Sequence, residues 1–207
     1  MCTRFFIDES QREFERIKSL AQESPLADKF LREGHPLITG GEIRPTNVVP
    51  VIAPSPNGTG SVYPMRWGFT DKEHKRLLFN ARSESAGYKP TFMGSWKAHR
   101  CVIPSSYYFE WQHYRSADGR IRTGDKYMIQ PAGSEITWLC GLYRIENELP
   151  VFVILTREPC GDVAEIHDRM PVMIPRDKIR DWITPDAYPD EIMQYALTDM
   201  VVEQADK

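Results

Sequence analysis

The chain has 207 residues, 41% of them hydrophobic, which is enough to bury a sizeable core and favours a single domain over residues 1–207. Its net charge of −3 excludes a general attraction to nucleic acid or to an anionic membrane, so a nucleic-acid site would have to be a local cluster of arginines. No apolar run is long enough to span a bilayer, and the first residues do not form a signal peptide, so no membrane partner is expected.

Two helices are predicted at the start of the chain. The apolar residues of 8–20 recur at helical spacing, and Asp8 or Ser10 is a typical start signal. A second short helix is predicted over 25–33, ending at Gly34.

Strand signals dominate the middle of the chain, where β-branched and aromatic residues alternate with glycine and proline punctuation. The predicted strands are 48–53, 61–66, 77–80, 100–103, 106–112, 126–130, 136–145 and 150–156.

The last part of the chain returns to helical patterns. A helix is predicted over 161–166, a strand over 170–174, and further helices over 175–183 and 189–196. Strands in the middle with helices at the ends predict an α+β fold with a mostly antiparallel or mixed sheet, because a doubly wound fold would alternate helices with strands.

The cysteines are widely separated and form no CxxC pair. This spacing indicates reduced thiols in a cytosolic protein and gives no zinc site, so no metal or other cofactor is expected. Cys101 and Cys140 lie in apolar runs that are typical of buried positions. The four cysteines are Cys2, Cys101, Cys140 and Cys160.

Cys2 becomes an amino-terminal cysteine if Met1 is removed, and trimming is favoured by a small second residue. The α-amine then lies next to a thiol and titrates near ~7.7–8.0, against ~10.4 for lysine, so roughly a tenth of it is unprotonated at neutral pH. Such an amine adds to carbonyls, and the thiol can close a thiazolidine ring on the product. The alternative is that cysteine stands at this position by accident.

Two polar groups interrupt strand-like segments. The run 80–84 (NARSE) follows the apolar residues 77–79 and fits either a solvated turn or a functional site. Glu110 lies among aromatic residues, where it either faces solvent or is buried with a raised pKa that suits proton transfer near neutrality.

Two further motifs carry candidate functional groups. His167 is suited to proton transfer at physiological pH, with a structural histidine as the alternative, and the adjacent Arg169 fits a phosphate or a surface charge. Trp67 fits either the core or a stacking surface for a base.

Together these motifs resemble the SOS-response-associated peptidase (SRAP) family. The resemblance follows chain order over nearly the whole sequence and departs from the family pattern at Thr3, where a glycine is usual, and near Tyr107, where another glycine is usual. The matching segments are MCTRF (1–5), RPTNVVPVI (44–52), MRWGF (65–69), NARSE (80–84), RCVIPSSYYFEW (100–111), LTREP (155–159) and IHDRMPV (166–172).

The resemblance implies a single SRAP domain with a central barrel-like sheet flanked by short helices, and covalent capture of abasic sites in single-stranded DNA. Carried over residue by residue, Cys2 is the nucleophile, first through its amine and then through its sulfur. Asn80 would hold the amino terminus or the sugar, Glu110 would relay protons and help to release Met1 by autoproteolysis, and His167 would assist sugar opening and elimination of the 3′ phosphate. The partner is then single-stranded DNA with abasic sites, bound by a monomer in the nucleoid-containing cytoplasm, with no cofactor.

The predicted DNA-binding residues adjoin these chemical motifs. Arg4, Arg82 and Arg169 would contact phosphates, since a few such contacts hold a DNA backbone without making the whole protein basic. Trp67 would stack on an exposed base and Pro45 would wedge neighbouring bases apart.

Two other functions use part of the same set. A hydrolase with an amino-terminal nucleophile, cleaving a peptide or amide, needs Cys2 and a proton relay but not Trp67 or the arginines. A passive single-stranded DNA binder whose chemistry has been lost is the third possibility, because Thr3 would crowd the backbone beside the nucleophile.

Overall fold

The structure is a computed structural model that describes residues 2–71 and 73–205. It has the α+β fold that the sequence predicts. In chain order the strands are β1 (Arg4–Ile7), β2 (Gly41–Ile43), β3 (Val48–Pro54), β4 (Gly60–Trp67), β5 (Phe69–Asp71), β6 (Arg76–Leu78), β7 (Asn80–Arg82), β8 (Arg100–Ser105), β9 (Tyr107–Arg115), β10 (Ile121–Pro131), β11 (Thr137–Glu146), β12 (Leu149–Arg157), β13 (Met170–Pro171) and β14 (Met200–Gln204). The helices are α1 (Arg12–Gln22), α2 (Pro25–Arg32), α3 (Ser83–Ala86), α4 (Pro90–Ala98), α5 (Ile179–Ile183) and α6 (Pro189–Met193), with 3-10 turns at Gly161–Glu165 and Arg176–Lys178.

Five strands close into a barrel. Their order is β11-β8-β3-β4-β12, and β12 returns to pair with β11. The β12–β4 pairing is parallel and the other pairings in this ring are antiparallel, so the barrel is mixed. Strand β12 is buried over almost its whole length, which explains its run of Val, Ile, Leu and Phe.

A second sheet brings the amino terminus against the barrel. Its order is β14-β10-β9-β1-β2, so β1 lies between β9 and β2. Phe5 pairs with Tyr108 on one side and with Ile43 on the other. Cys2 and Thr3 therefore directly precede a strand that is flanked by β2 and β9.

The core is rich in aromatic rings that pack against the barrel strands. Trp67 is 0% exposed, its indole stacks on Phe152 at 6.0 Å between centroids, and its Nε1 donates to the carbonyl of Phe79 at 2.8 Å. The indole therefore fills the core and satisfies its one donor there.

Arg100 is buried in the core with only 1% of its surface exposed. Its guanidinium donates to the carbonyls of Trp96 and Lys97 at the end of α4, and to the carbonyls of Trp182 and Thr184 at the end of α5. A cation at two helix carboxyl termini satisfies carbonyls that have no partner within the helices. Burial nevertheless lowers the pKa of Arg100 below its ordinary value.

The strands predicted in the middle of the chain are confirmed, except that 77–80 is divided between β6 and β7. Several helices differ: the helix predicted over 161–166 is the 3-10 turn Gly161–Glu165, and the helix predicted over 189–196 ends at Met193. Helix α1 starts at Arg12 rather than at residue 8, because Asp8 Oδ1 accepts the backbone N–H of Ser10 at 3.0 Å and forms a local turn. The predicted helix 175–183 is a 3-10 turn followed by α5, and the strand predicted at 170–174 is reduced to β13.

Some elements were not predicted. Helix α4 lies among the strands, although its sequence contains Gly94 and aromatic residues, and it is held by the buried Trp96 and by Arg100 at its end. Strands β1 and β14 were also missed, since each is a short segment that becomes a strand by pairing with β9 or β10. None of the helices in the described residues is long and apolar enough to cross a membrane.

Candidate active site around Cys2

Cys2 lies immediately before β1 and is 0% exposed. If the register of β1 with β9 were continued by two residues, Thr3 and Cys2 would lie opposite Glu110 and Trp111. The Cys2 thiol donates to the carbonyl of Arg4 at 3.7 Å. Burial, with a smaller contribution from the negative charge of Glu110, raises the pKa of this thiol well above its ordinary value, so the sulfur is a neutral thiol at physiological pH.

Asn80 connects the barrel to the amino terminus. It begins β7, which pairs in parallel with β12 and places Asn80 opposite Ile154. Asn80 Nδ2 donates to the carbonyl oxygen of Cys2 at 2.9 Å. Its Oδ1 is buried and has no hydrogen-bond partner within the described part of the chain, so it can accept a further hydrogen bond from a group brought into the site.

Glu110 lies on β9 and is 4% exposed, so its side chain points inward rather than to solvent. One carboxylate oxygen accepts the backbone N–H of Trp111 at 3.2 Å. The negative charge of Glu110 favours the protonated form of both the Cys2 thiol and the His167 ring, although other causes lower the pKa of His167 overall. The carboxylate therefore lies within electrostatic reach of both groups.

His167 follows the 3-10 turn at Gly161–Glu165 and is held against β9. The backbone N–H of His113 donates to the Ile166 carbonyl at 3.0 Å, and the rings of His113 and His167 are 4.8 Å apart between centroids. His167 Nδ1 lies 3.0 Å from the backbone nitrogen of Arg169. Asp168 Oδ1 lies 2.9 Å from the same Nδ1 and would stabilise the ring if it were protonated.

The pKa of His167 is lowered, mainly because burial disfavours the imidazolium, although the carboxylates of Glu110 and Asp168 oppose this shift. A neutral imidazole at physiological pH can accept a proton. The structure thus brings Cys2 together with Asn80 and places both Cys2 and His167 within electrostatic reach of Glu110. Met1, whose removal the sequence analysis invokes, lies outside the described residues.

Three of the predicted DNA-binding residues surround this site. Arg4 is half-buried and lies with its guanidinium 5.2 Å from the centre of the Trp111 ring. Pro45 is also half-buried, in the turn after β2, and the register of β1 with β2 directs this turn toward the residues that precede β1. Arg82 is exposed at the end of β7, two residues from Asn80.

The DNA-binding predictions for Trp67 and Arg169 are wrong, because both side chains are buried and make their contacts inside the protein. Trp67 is completely buried under the barrel and offers no face to a base. Arg169 is also buried: its two terminal nitrogens bind the carboxylate of Glu84 at 2.8 Å each, and Nη2 also donates to the Thr156 carbonyl at 2.7 Å. This paired guanidinium orders the segment that carries His167 rather than facing a phosphate.

A cluster of cations beside Cys2 was missed. The two oxygens of Glu42 accept from Arg4 at 2.8 Å, from Arg44 at 3.0 Å and from Lys126 at 3.1 Å. Three cations thus share one carboxylate, whose pKa they lower, and leave an excess of positive charge. Arg44 is close to Glu42 in sequence, but Arg4 and Lys126 are distant from it. They are brought together by the pairings of β1 with β2, of β1 with β9 and of β9 with β10.

Trp111 was quoted within a motif but given no role. It is half-buried, with Arg4 over one side of its ring and Lys126 Nζ 5.4 Å from its centre. Its position directly after Glu110 was the signal available in the sequence, because strand alternation turns its side chain to the opposite face. Unlike Trp67, Trp111 keeps part of its surface open to solvent.

Tyr108 lies beneath the site, buried, with a hydroxyl that has no hydrogen-bond partner among the residues described. Burial, together with Cys2 and Glu110, raises its pKa, so it remains a neutral donor at physiological pH. Across the described residues, no group of three or more His, Cys, Asp or Glu side chains is arranged to hold a metal ion.

Comparisons with known proteins agree with this arrangement of motifs. The sequence profile of the family described as "SOS response associated peptidase (SRAP)" matches residues 1–205. The chain is 29% identical to the abasic site processing protein YoaM of Bacillus subtilis (strain 168) over 160 residues, covering 70% of this chain and 68% of YoaM. It is 27% identical to the abasic site processing protein YoqW of the same strain over 198 residues, covering 89% of this chain and 81% of YoqW.

Solved structures share the fold at low sequence identity. A protein from Bacteroides thetaiotaomicron has a TM-score of 0.74 at 18% identity, covering 99% of this chain and 92% of that one. A phage-related protein from Bordetella bronchiseptica has a TM-score of 0.70 at 18% identity, covering 100% of this chain and 95% of that one. With the family profile spanning nearly every residue and its motifs assembled around Cys2, the chain belongs to the SOS response associated peptidase (SRAP) family.

Proposed function

We propose that this protein processes abasic sites in DNA, and that it does so by capturing the lesion covalently through Cys2 in single-stranded DNA. The relatives named as abasic site processing proteins support the substrate class. The observation that carries the mechanism is the hydrogen bond from Asn80 Nδ2 to the Cys2 carbonyl, because it fixes the residue whose amine and thiol must both reach one sugar carbon.

The first step is loss of Met1. Hydrolysis of the bond between Met1 and Cys2 consumes one water, releases methionine and leaves the α-amine of Cys2 free. The carboxylate of Glu110, buried and electrostatically coupled to Cys2, is the candidate base for this autoproteolysis. Since the Cys2 side chain is fully buried in the structure, capture also requires a local opening that lets the sugar in.

The second step is attack by nitrogen. An abasic sugar opens to an aldehyde, the lone pair of the α-amine adds to its C1′, and loss of one water gives a Schiff base. The sulfur of Cys2 then adds to the same carbon while its proton passes to a base, which closes a thiazolidine ring. The raised pKa of the thiol favours this order, because a neutral thiol is a weak nucleophile and the amine reacts first.

The surrounding side chains divide the proton transfers. Asn80 holds the carbonyl of Cys2, and its free Oδ1 is placed to accept a hydrogen bond from the amine or the sugar. Neutral His167 can accept a proton from the sugar carbon C2′ of the Schiff base, so that the C3′–O bond breaks and the 3′ phosphate leaves with its electron pair. That elimination would give lyase activity beside crosslinking.

DNA would approach along the cation cluster of Arg4, Arg44 and Lys126. These residues carry three positive charges against the single carboxylate of Glu42, which suits a phosphate chain. The half-open ring of Trp111 can stack on a base of any identity, as a protein that meets lesions in every sequence requires.

The main rival is an amino-terminal-nucleophile hydrolase acting on a peptide or amide. It would use the same Cys2, Asn80 and Glu110 but has no need of the cation cluster beside Trp111. The excess positive charge at this position in an acidic chain favours DNA.

The test is a crosslinking assay. Processed protein is incubated with single-stranded DNA that contains one abasic site and is then separated on a denaturing gel. We expect a heat-stable shifted band with the wild type and none with Cys2→Ala, whereas native-gel binding by Cys2→Ala falls less than about threefold.

Undamaged DNA of the same sequence has no aldehyde and should give no shifted band. The variant Cys160→Ala, which changes another thiol, should crosslink as the wild type does. A shifted band that persists in Cys2→Ala would rule out this mechanism. Cleavage of a peptide substrate without any shift would favour the hydrolase.

A further inference from the structure

A groove lies on the other helix-bearing surface of the barrel, between α1 and α5. Its volume is about 690 Å³, within the range of sites that bind peptides and small molecules. Its floor is formed by strand residues that include Ile52 and Val62, with Trp138 at one end. None of the residues that line it belongs to the site around Cys2.

Each of the two helical walls presents the same kind of stripe. Residues Arg16, Ile17 and Leu20 face the groove from α1, at spacings that put them on one helix face. Arg180 and Ile183 face it from α5. Each wall therefore carries apolar surface toward the floor and a guanidinium near the rim.

The rim has an excess of positive charge. Arg176 is paired with Glu13, the one carboxylate that lines the groove. Arg16 and Arg180 are exposed, and neither forms an ion pair within the part of the chain that is described. In a chain whose net charge is −3, two exposed arginines that have no ion-pair partner in the described residues and lie beside an apolar floor are unusual.

The apolar part of the groove is accessible as well. Leu20 is 41% exposed on the α1 wall, and Gly60 contributes no side chain to the floor. The aromatic ring of Trp138 is buried, so the groove offers aliphatic surface rather than an open ring for a base. This combination fits apolar side chains flanked by carboxylates better than it fits a nucleic acid.

We propose that this groove is a docking site for an acidic peptide segment of a partner protein, anchored by one or two large apolar side chains. The apolar anchors lie between α1 and α5 over Ile52 and Val62. Carboxylates on either side of them meet Arg16 and Arg180. Because the groove is separate from Cys2, docking recruits the protein to a partner without blocking its chemistry.

The test uses a defined probe, a fluorescein-labelled peptide that repeats the unit Asp-Asp-Leu-Phe, titrated with the full-length protein and followed by anisotropy. We expect saturable binding that weakens as salt is added. A peptide in which serine replaces every Leu and Phe should bind at least about tenfold more weakly, since the anchors are lost.

Variants separate the charged and apolar contributions. The double variant Arg16→Glu/Arg180→Glu should weaken peptide binding by about tenfold or more, because two attractive rim contacts become repulsive. Leu20→Asn should weaken it by roughly threefold or more with little change in the salt dependence. Arg120→Glu, the same kind of substitution at one residue of an exposed turn, should leave binding unaltered.

Several results would overturn the proposal. These are equal binding of the peptide to the wild type and the double variant, equal binding of the serine peptide, or no binding at all. If undamaged single-stranded DNA displaced the peptide from the wild type but not from the double variant, the groove would be assigned to nucleic acid instead. A dimer in sedimentation experiments that Arg180→Glu dissociates would show that a second copy of the chain covers it.

Discussion

The buried arginines and the cations beside Cys2 carry similar charges in opposite settings. Arg100 and Arg169 lie inside the protein, where the guanidinium of Arg100 donates to carbonyls and the two terminal nitrogens of Arg169 bind Glu84. Arg4 and Lys126 lie at the surface and share one carboxylate with a third cation. The difference shows that residue type alone does not reveal whether a motif arginine is open to a ligand, because the fold decides which side chains it buries.

The largest expected effect is the loss of stability when a buried arginine is replaced. Arg100→Met should lower the free energy of unfolding by about 3–5 kcal/mol, because several buried carbonyls lose their donor at once. Urea unfolding followed by circular dichroism measures the change. Arg4→Met is the matched control and should change stability by less than about 1 kcal/mol. Equal losses of stability in the two variants would contradict the difference between the buried and the surface cations.

Trp67 and Trp111 differ in burial in the same way as the two groups of cations. Trp67→Ala should cost about 3–5 kcal/mol of stability, since it empties a fully buried position. Trp111→Ala should cost much less stability but weaken binding to undamaged single-stranded DNA by roughly 1–3 kcal/mol. Thermal unfolding and fluorescence anisotropy on the same two preparations would show the pattern, and an unaltered DNA affinity in Trp111→Ala would remove the stacking role.

The cation cluster should appear in the salt dependence of DNA binding. Removing one phosphate contact with Arg4→Ala or Lys126→Ala should reduce the slope of log K against log salt by about 0.7 for a single strand. The matched variant Arg32→Ala, on α2 away from the cluster, should keep the wild-type slope. A slope unchanged in all three variants would place the DNA elsewhere.

The smallest expected effect is a pH dependence from His167. Burial lowers the pKa of His167, so the unfolded chain binds this proton more readily than the folded one. The stability from the neutral ring is fully present above about pH 6.5 and is lost as the pH falls through the lowered pKa. Unfolding titrations at pH 7.5 and 5.5 should show a smaller loss on acidification in His167→Gln than in the wild type; an equal loss would show that His167 does not contribute.

Much of the strand framework could be predicted, because β-branched and aromatic runs are intrinsic to the sequence. The strands around 48–53 and 150–156 are examples. Helix α4 could not, since its stability depends on contacts made by Arg100 from the following strand. Closure of the barrel depends on the parallel pairing of β4 with β12, which joins segments far apart in the chain.

The candidate site could also be predicted only in part. Cys2, Asn80, Glu110 and His167 were named from their chemistry and their motifs, and the structure places them around the start of β1. The roles of neighbouring residues could not be read from type alone. Burial decides between Trp67 and Trp111, and it also separates Arg169 from Arg4. Both arginines pair with a carboxylate, but the Arg169 side chain is 9% exposed and the Arg4 side chain 35%.

Mass spectrometry of the adduct tests the central claim most directly. Protein crosslinked to an abasic oligonucleotide would be digested with nuclease and protease and its amino-terminal peptide sequenced. Our account predicts a peptide that begins at Cys2, lacks Met1 and carries the sugar with loss of one water, with both nitrogen and sulfur of Cys2 blocked. An adduct on a lysine, or on a chain that retains Met1, would contradict it.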